Sequence, residues 1–550
     1  MKRLKQLSKL LLVIAIVFTG CEGQEESLID DRLENNPPPT ETEVSGTQGA
    51  TDFTKFITIG SSITAGYMDG ALYNLGQGNS IAALMAAQLE VAVESDGDTF
   101  DGFVQPNINS EAGYNTVVSQ PGGVILGRFK LDTNIPGPSP VVNGEAITAY
   151  TGPDVHNFGV PGIQVGQLLT PATGGPADPG NPAFNPFYQR FASNPGSSTI
   201  LGDAIASQPS FFSLWIGNND VLGYAASGAS NPAILTSNSD FDTRINATIG
   251  QLMGNTSADG IVANIPPLLG VALFQAVRWN NITLDEATAT QLNGGLQGVN
   301  DAIQATVDFL GHPQEDADRR FINYSAGNNP ILVIDEELED LGPKFDQLES
   351  AQAISPEQRA ALVPYEQSRP LTQGELVLIS AGAVLGKEAD GDASQADTPI
   401  GVVIPLGFDL GTGSLSGDQY YLTLAEQQEI EMSRASFNAS ISAAVDNYSD
   451  RLALYDTNAP GGVFLDIFGM SDGVPGIRVS GVDLQPDFSP NGVLSTDGVH
   501  PNARGNAIIV NDMLETIENK FGAELPKIEV LNLPSVQICA GDCASQQGGS

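Results

Sequence analysis

From Phe53 onward, short apolar runs that read as strands alternate with stretches of helical periodicity, and this rhythm constrains the fold more than any other feature of the chain. Such alternation is the pattern of an α/β protein built on a parallel sheet. Phe56-Ile57-Thr58-Ile59 reads as a buried strand, Phe211 to Ile216 as a second, and Gly260 to Ile265 as a third, closed by Pro266-Pro267. Arg451 to Tyr455 is another. Between them, Ile81, Leu84, Met85 and Leu89 fall on one helical face. A long helix is expected from about Leu424 to Tyr448, and a last one from about Pro501 to Phe521, where a proline near the start costs no hydrogen bond. Two segments break the rhythm, a Gly/Asn/Pro-rich one over about 91–150 and a longer mixed one over about 274–421. We read both as insertions in a single domain spanning 53–522, followed by a tail over 523–550.

Composition narrows the function. The 550 residues hold 65 Asp and Glu against 23 Lys and Arg, a net charge of -42. A surface that negative repels nucleic acid and anionic headgroups, which excludes DNA and RNA as partners. Cys21, Cys539 and Cys543 cannot build a zinc site, and a histidine metal centre would need most of His156, His312 and His500 to converge. Any serine–histidine chemistry therefore has three candidate bases.

The first twenty residues read as an address. Lys2, Arg3, Lys5 and Lys9 precede the apolar run Leu10 to Phe18, too short to cross a hydrocarbon layer as a helix. Phe18-Thr19-Gly20-Cys21 resembles a bacterial lipobox, with Phe18 where Leu is usual. The expectation is a signal peptide over 1–20, lipid on Cys21, and a polar, Pro-rich tether over 21–52. Cys539 and Cys543, close together near the other end, are expected to form a local disulfide.

Four clusters carry chemistry. Gly60-Ser61-Ser62-Ile63-Thr64-Ala65-Gly66 follows the first strand, so Ser62 stands at the carboxyl end of a sheet strand, where α/β sheets bind ligands. Asp497-Gly498-Val499-His500 can supply a base and the carboxylate that orients it. Asn157-Phe158-Gly159-Val160-Pro161-Gly162 reads as a glycine-punctuated turn that could expose the Gly162 N–H. Gly217-Asn218-Asn219-Asp220 can present the Asn219 amide. The order of these clusters resembles the GDSL/SGNH hydrolases, which carry G-D-S-x-[ST]-x-G, N-x-G-x-x-G, G-x-N-D and D-x-x-H in that sequence. Ser61 stands where that family usually has Asp.

The resemblance implies a three-layer, flavodoxin-like fold and a serine esterase with no cofactor and no metal, and the lipobox reading places it in the cell envelope, anchored in a bacterial (outer) membrane through Cys21. It implies Ser62 as nucleophile, His500 as base, Asp497 as its orienter, and Ser62, Gly162 and Asn219 as the oxyanion hole. The rival is a binding lipoprotein on the same scaffold with little or no catalysis, motivated by Ser61 and the insertions. Short-chain, O-acetyl-glycan and lipid esters all fit the same triad. The insertions are expected to build the pocket, and the polar 91–150 segment leans towards a polar substrate.

Three other features receive bland readings. Gly469-Met470-Ser471-Asp472-Gly473 matches a nucleophile elbow but lacks room for the fold it needs, so it reads as a loop. Asp390-Gly391-Asp392-Ala393-Ser394 reads as a solvated acidic loop without the later residues of a calcium site. His156 adjoins the Gly162 turn as a turn residue or substrate contact, and His312 is assigned nothing.

Overall fold

The strands are apolar at odd and even positions alike, because helices cover both faces of their sheet. A computed structural model describes residues 45–119, 123–132, 137–415, 419–470, 476–539 and 543. The expected signal peptide, Cys21, the tether as far as residue 44 and Ser471-Asp472-Gly473 lie outside them. The strands of the central sheet are β1 (Phe56–Gly60), β2 (Asn157–Gly159), β3 (Phe211–Trp215), β4 (Asp259–Ala263) and β5 (Leu452–Tyr455). All pair in parallel, in the order β5-β4-β3-β1-β2. This is one of the two common doubly wound orders, and it reverses direction between β1 and β3.

Helices follow the strands: α1 (Ser62–Ala65), α2 (Ile81–Ser95), α3 (Ile200–Ala206), α4 (Asn219–Ala226), α5 (Asn238–Asn255), α6 (Glu286–Leu310), α7 (Leu424–Asp446) and α8 (Ala503–Phe521). Ile57 and Ile59 of β1 join Phe212 and Leu214 of β3 and the buried faces of α5 and α7 in one core. Phe56, Phe211 and Trp215 point the other way, into a second core with α2 and α8. The chain is thus an α/β protein with a five-stranded parallel sheet between two helical layers.

Two departures from the sequence reading have simple causes. Asn157–Gly159, read as part of a turn, is the fully buried edge strand. Its three residues are too few to show alternation, and two of them are Asn and Gly. α8 starts at Ala503 because Asn502 caps it, its side chain accepting from the Arg504 and Gly505 N–H groups at 3.0 and 3.1 Å.

The compact unit that holds the sheet begins at Gly46, before the expected boundary at 53. Thr47 bridges to Glu524, and Gln48 bonds Asp96 and Asp98. At the other end, Leu525, Val530 and Val536 are buried, and Ile538–Cys539 pairs in parallel with Phe129–Asp132. Cys539 and Cys543 form the expected disulfide. Within 91–150, residues 91–95 complete α2. The 274–421 segment adds no strand to the central sheet. Residues from Ile282 to Tyr421 instead build a separate apolar cluster around α6.

Candidate active site

Register sets the stage for chemistry. Gly60 of β1 is level with Gly159 of β2 and Trp215 of β3, and Trp215 is level with Ala263 of β4, itself level with Tyr455 of β5. The carboxyl ends of all these strands therefore open on one rim, and the loops leaving β1 and β3 meet there at the reversal of strand order. Ser62 is the first residue of α1, directly on that rim. Helix α1 is a single turn closed by Gly66 at φ 81°, so its first N–H groups point outward with no partner inside the helix.

Ser62 Oγ lies 2.8 Å from His500 Nε2, across 438 positions of sequence. His500 Nδ1 lies 2.9 Å from Asp497 Oδ2. The other carboxylate oxygen of Asp497 accepts from the backbone N–H groups of Val499 and His500, both at 2.9 Å. Burial alone would push the Asp497 carboxyl up; the imidazole beside it and these hydrogen bonds outweigh burial and hold it at about 2. It is therefore a carboxylate at any ordinary pH. That fixes the proton of His500 on Nδ1 and leaves Nε2 free to accept from the Ser62 hydroxyl.

Nothing in the sequence reading singled out what holds this carboxylate. Tyr67–Met68 and Ala71–Leu72 form a tight antiparallel hairpin whose corner, Asp69-Gly70, has φ of 56° and 73°. Positive φ at both corner positions makes a type I′ turn, for which Asp-Gly is a favoured pair. The Gly70 N–H donates to Asp497 Oδ2 at 3.1 Å, the same oxygen that meets His500. The Asp69 N–H donates to Ser495 Oγ, and Asp69 Oδ1 accepts from both the N–H and the hydroxyl of Thr496 at 2.9 and 2.7 Å. Its Oδ2 accepts from the Tyr73 hydroxyl at 2.6 Å. The ring of Tyr67 packs 5.2 Å from the imidazole of His500. The hairpin thus grips the segment that carries Asp497 and His500.

The amide groups converge less directly. Asn219, the first residue of α4, lines the same cleft as Ser62 and His500, and its Nδ2 donates to the Ile163 carbonyl at 2.9 Å. Gly162, next to Ile163, is exposed at φ 80°, and among the described residues nothing accepts from its N–H. It does not line the cleft. Asp220 fastens the two loops together, accepting from the Val165 N–H at 2.9 Å and the Thr236 hydroxyl at 2.8 Å. Burial raises its carboxyl to about 6. Asn157 stitches β2 to α1 through the Thr64 carbonyl at 3.0 Å. Gly159 is required there, since a Cβ would stand 2.4 Å from the Ala65 nitrogen. Ser61 is buried, and its hydroxyl has no hydrogen-bond partner among the described residues.

The cleft itself is lined by loops of the central sheet and by the 463–470 and 494–501 segments. Among the described residues, no lining residue comes from 91–150 or 274–421, contrary to the expectation that these build the pocket. The strand that a nucleophile elbow at Ser471 would need is absent, because Val463–Ile467 forms a π-helical turn. His156 sits before β2, at the opposite end of the sheet from Ser62, where its Nδ1 accepts from the Val104 N–H at 3.0 Å. His312 is buried in the 274–421 segment, with Asp316 2.6 Å from Nε2 and Glu339 3.2 Å from Nδ1. Glu388, Asp390 and Asp397 could each bring one oxygen within 4.8 Å of the others around a cation. Asp390 and Asp392 are exposed and engage their own loop instead. No helix among the described residues is long and apolar enough to cross a membrane. Models of known protein families give no match to this chain, and curated proteins give no relative.

Proposed function

We propose that the chain is a serine ester hydrolase of the GDSL/SGNH kind, with the three-layer fold of that family. The observation that carries the reading is the unbroken Ser62–His500–Asp497 chain of contacts at 2.8 and 2.9 Å. It lies on the rim where a doubly wound sheet binds ligands. In this reading His500 Nε2 takes the Ser62 proton as Oγ attacks the ester carbonyl carbon. The Ser62 N–H and the Asn219 amide, both at the cleft, hold the resulting oxyanion, and the exposed Gly162 N–H, outside the cleft lining, is a third donor only if its loop moves towards Ser62. The carbon–oxygen bond to the alcohol then breaks, and His500 returns its proton to the departing alcohol. Water attacks the acyl-enzyme with His500 again taking the proton, and the acid leaves as Ser62 regains its hydrogen.

Neither motive for the binding-protein rival touches this geometry. Ser61 leaves the Ser62–His500 contact intact, and no described residue of either insertion lines the cleft. The departure at Ser61 is offset by the Asp69-Gly70 hairpin, which supports the site from the other side. Ser62→Ala should lower turnover of p-nitrophenyl acetate by about 10⁶-fold while the circular dichroism spectrum is unchanged. Undiminished turnover would refute the proposal. We also propose lipid attachment at Cys21 and residence in the cell envelope. Cys21→Ala should move the expressed protein from the membrane fraction to the soluble one; retention in membranes would count against it.

A further inference from the structure

We infer that the site takes esters of short, uncharged acyl groups, about two to four carbons long, and refuses long lipid acyl chains; this rests on the hydrolase reading above. Beside Ser62, on the β3 and β4 side, lies a cavity of about 50 Å³. Its walls are apolar: Ile63, Leu222, Leu268, Val271, Phe464 and Phe468. The polar groups facing it are few, and among the described residues no ionisable side chain besides His500 lines it. An apolar wall stabilises hydrocarbon, and an acyl chain ending in a carboxylate would lose its hydration there without a partner.

One side of the cavity is walled by packed aromatic rings. Phe464 and Phe468 stack at 5.0 Å, and the edge of Trp215 meets Phe464 at 5.8 Å. All three are almost fully buried, so widening the cavity means displacing close-packed rings. The acyl side of the ester belongs here because Ile63, next to the nucleophile, and Asn219, the amide beside the developing oxyanion, line the same wall. A dry cavity of about 150 Å³ accommodates a benzene ring. One of about 50 Å³ is smaller still, which sets the acyl group at a few carbons.

The test is a p-nitrophenyl ester series from acetate to palmitate, paired with fluorophosphonate labelling. The expected result is a kcat/KM that peaks between acetate and butyrate and falls about tenfold or more per methylene beyond the peak. Leu222→Ala, at a partly buried position on α4, should shift the peak to longer chains, and Phe468→Ala should do so further if it folds. A peak at octanoate or longer overturns the inference. So does a profile that Leu222→Ala leaves unmoved, or one set by the length of the alcohol in alkyl acetates instead of the acyl chain. Labelling of Ser62 without turnover of any short ester overturns it as well. Absence of both labelling and turnover in folded protein removes the hydrolase reading itself, a distinct outcome.

Discussion

An isolated serine hydroxyl is a poor nucleophile, and in the proposed reaction Ser62 depends on the ionisation of a carboxylate two contacts away. Asp497→Asn keeps the shape of that carboxylate and removes its charge, so His500 loses the tautomer it needs; kcat on short esters should fall by about 10⁴-fold. The same carboxylate contributes to stability. Its ordinary value of 3.8 is held at about 2 in the folded chain, a difference of about 2 kcal/mol. Because the folded value is the lower one, this contribution is present above pH 3.8 and is lost as pH falls through 2. Urea unfolding of Asp497→Asn should therefore show a deficit of about 2 kcal/mol at pH 7 that vanishes near pH 2. A gap independent of pH would contradict the assignment. Asp69 is a positioning residue: Asp69→Asn should lower kcat on the order of tenfold to hundredfold, displace the acid limb of the kcat/KM profile, and leave KM nearly unchanged. A change in KM alone would mark it as merely structural. The meeting of Ser62, Asp497 and His500 was legible in sequence because the proposed chemistry demands those residue types and only three histidines were available. Asp69 and Gly70 were not. Strands of two residues carry no periodicity, and the Asp-Gly pair was the one signal they left.

Elements were legible in proportion to their length and apolarity. β1, β3, β4 and β5 stood out because both faces are buried, which produces continuous apolar runs. β2 was read as a turn because its length and composition are those of one, while its pairing with β1 is a tertiary fact. The start of α8 shows how an element reaches the site. Asn502 caps the helix two residues after His500, and its Nδ2 also donates to the Gly492 and Leu494 carbonyls at 2.8 and 3.2 Å. Asn502→Ala should destabilise the protein by about 1–2 kcal/mol in thermal or urea unfolding. A change below a few tenths of a kcal/mol would mean that the cap adds nothing beyond the packing of α8.

At the scale of the whole molecule, the 274–421 segment has an apolar interior largely its own, joined to the core of the sheet through Phe274 and Leu378. The segment keeps Arg369 buried between Asp335 and Glu375, with contacts of 2.5 and 2.6 Å. Arg369→Ala strands two buried carboxylates and should cost about 3–5 kcal/mol, seen as an early thermal transition. Because the segment does not line the cleft, kcat on acetate esters well below that transition should stay unchanged. A fall in kcat with the fold intact would tie the segment to the site. That separation was illegible in sequence, since a break in helical and strand rhythm shows where chain is added but not which face it covers. The central claim, that Ser62 is a nucleophile activated by His500, is tested most directly by intact-mass spectrometry after exposure to a fluorophosphonate. The account predicts one adduct per chain, mapped to Ser62, with labelling slowed by orders of magnitude in His500→Ala. A folded chain that takes no adduct, or takes it at Ser471, would contradict it.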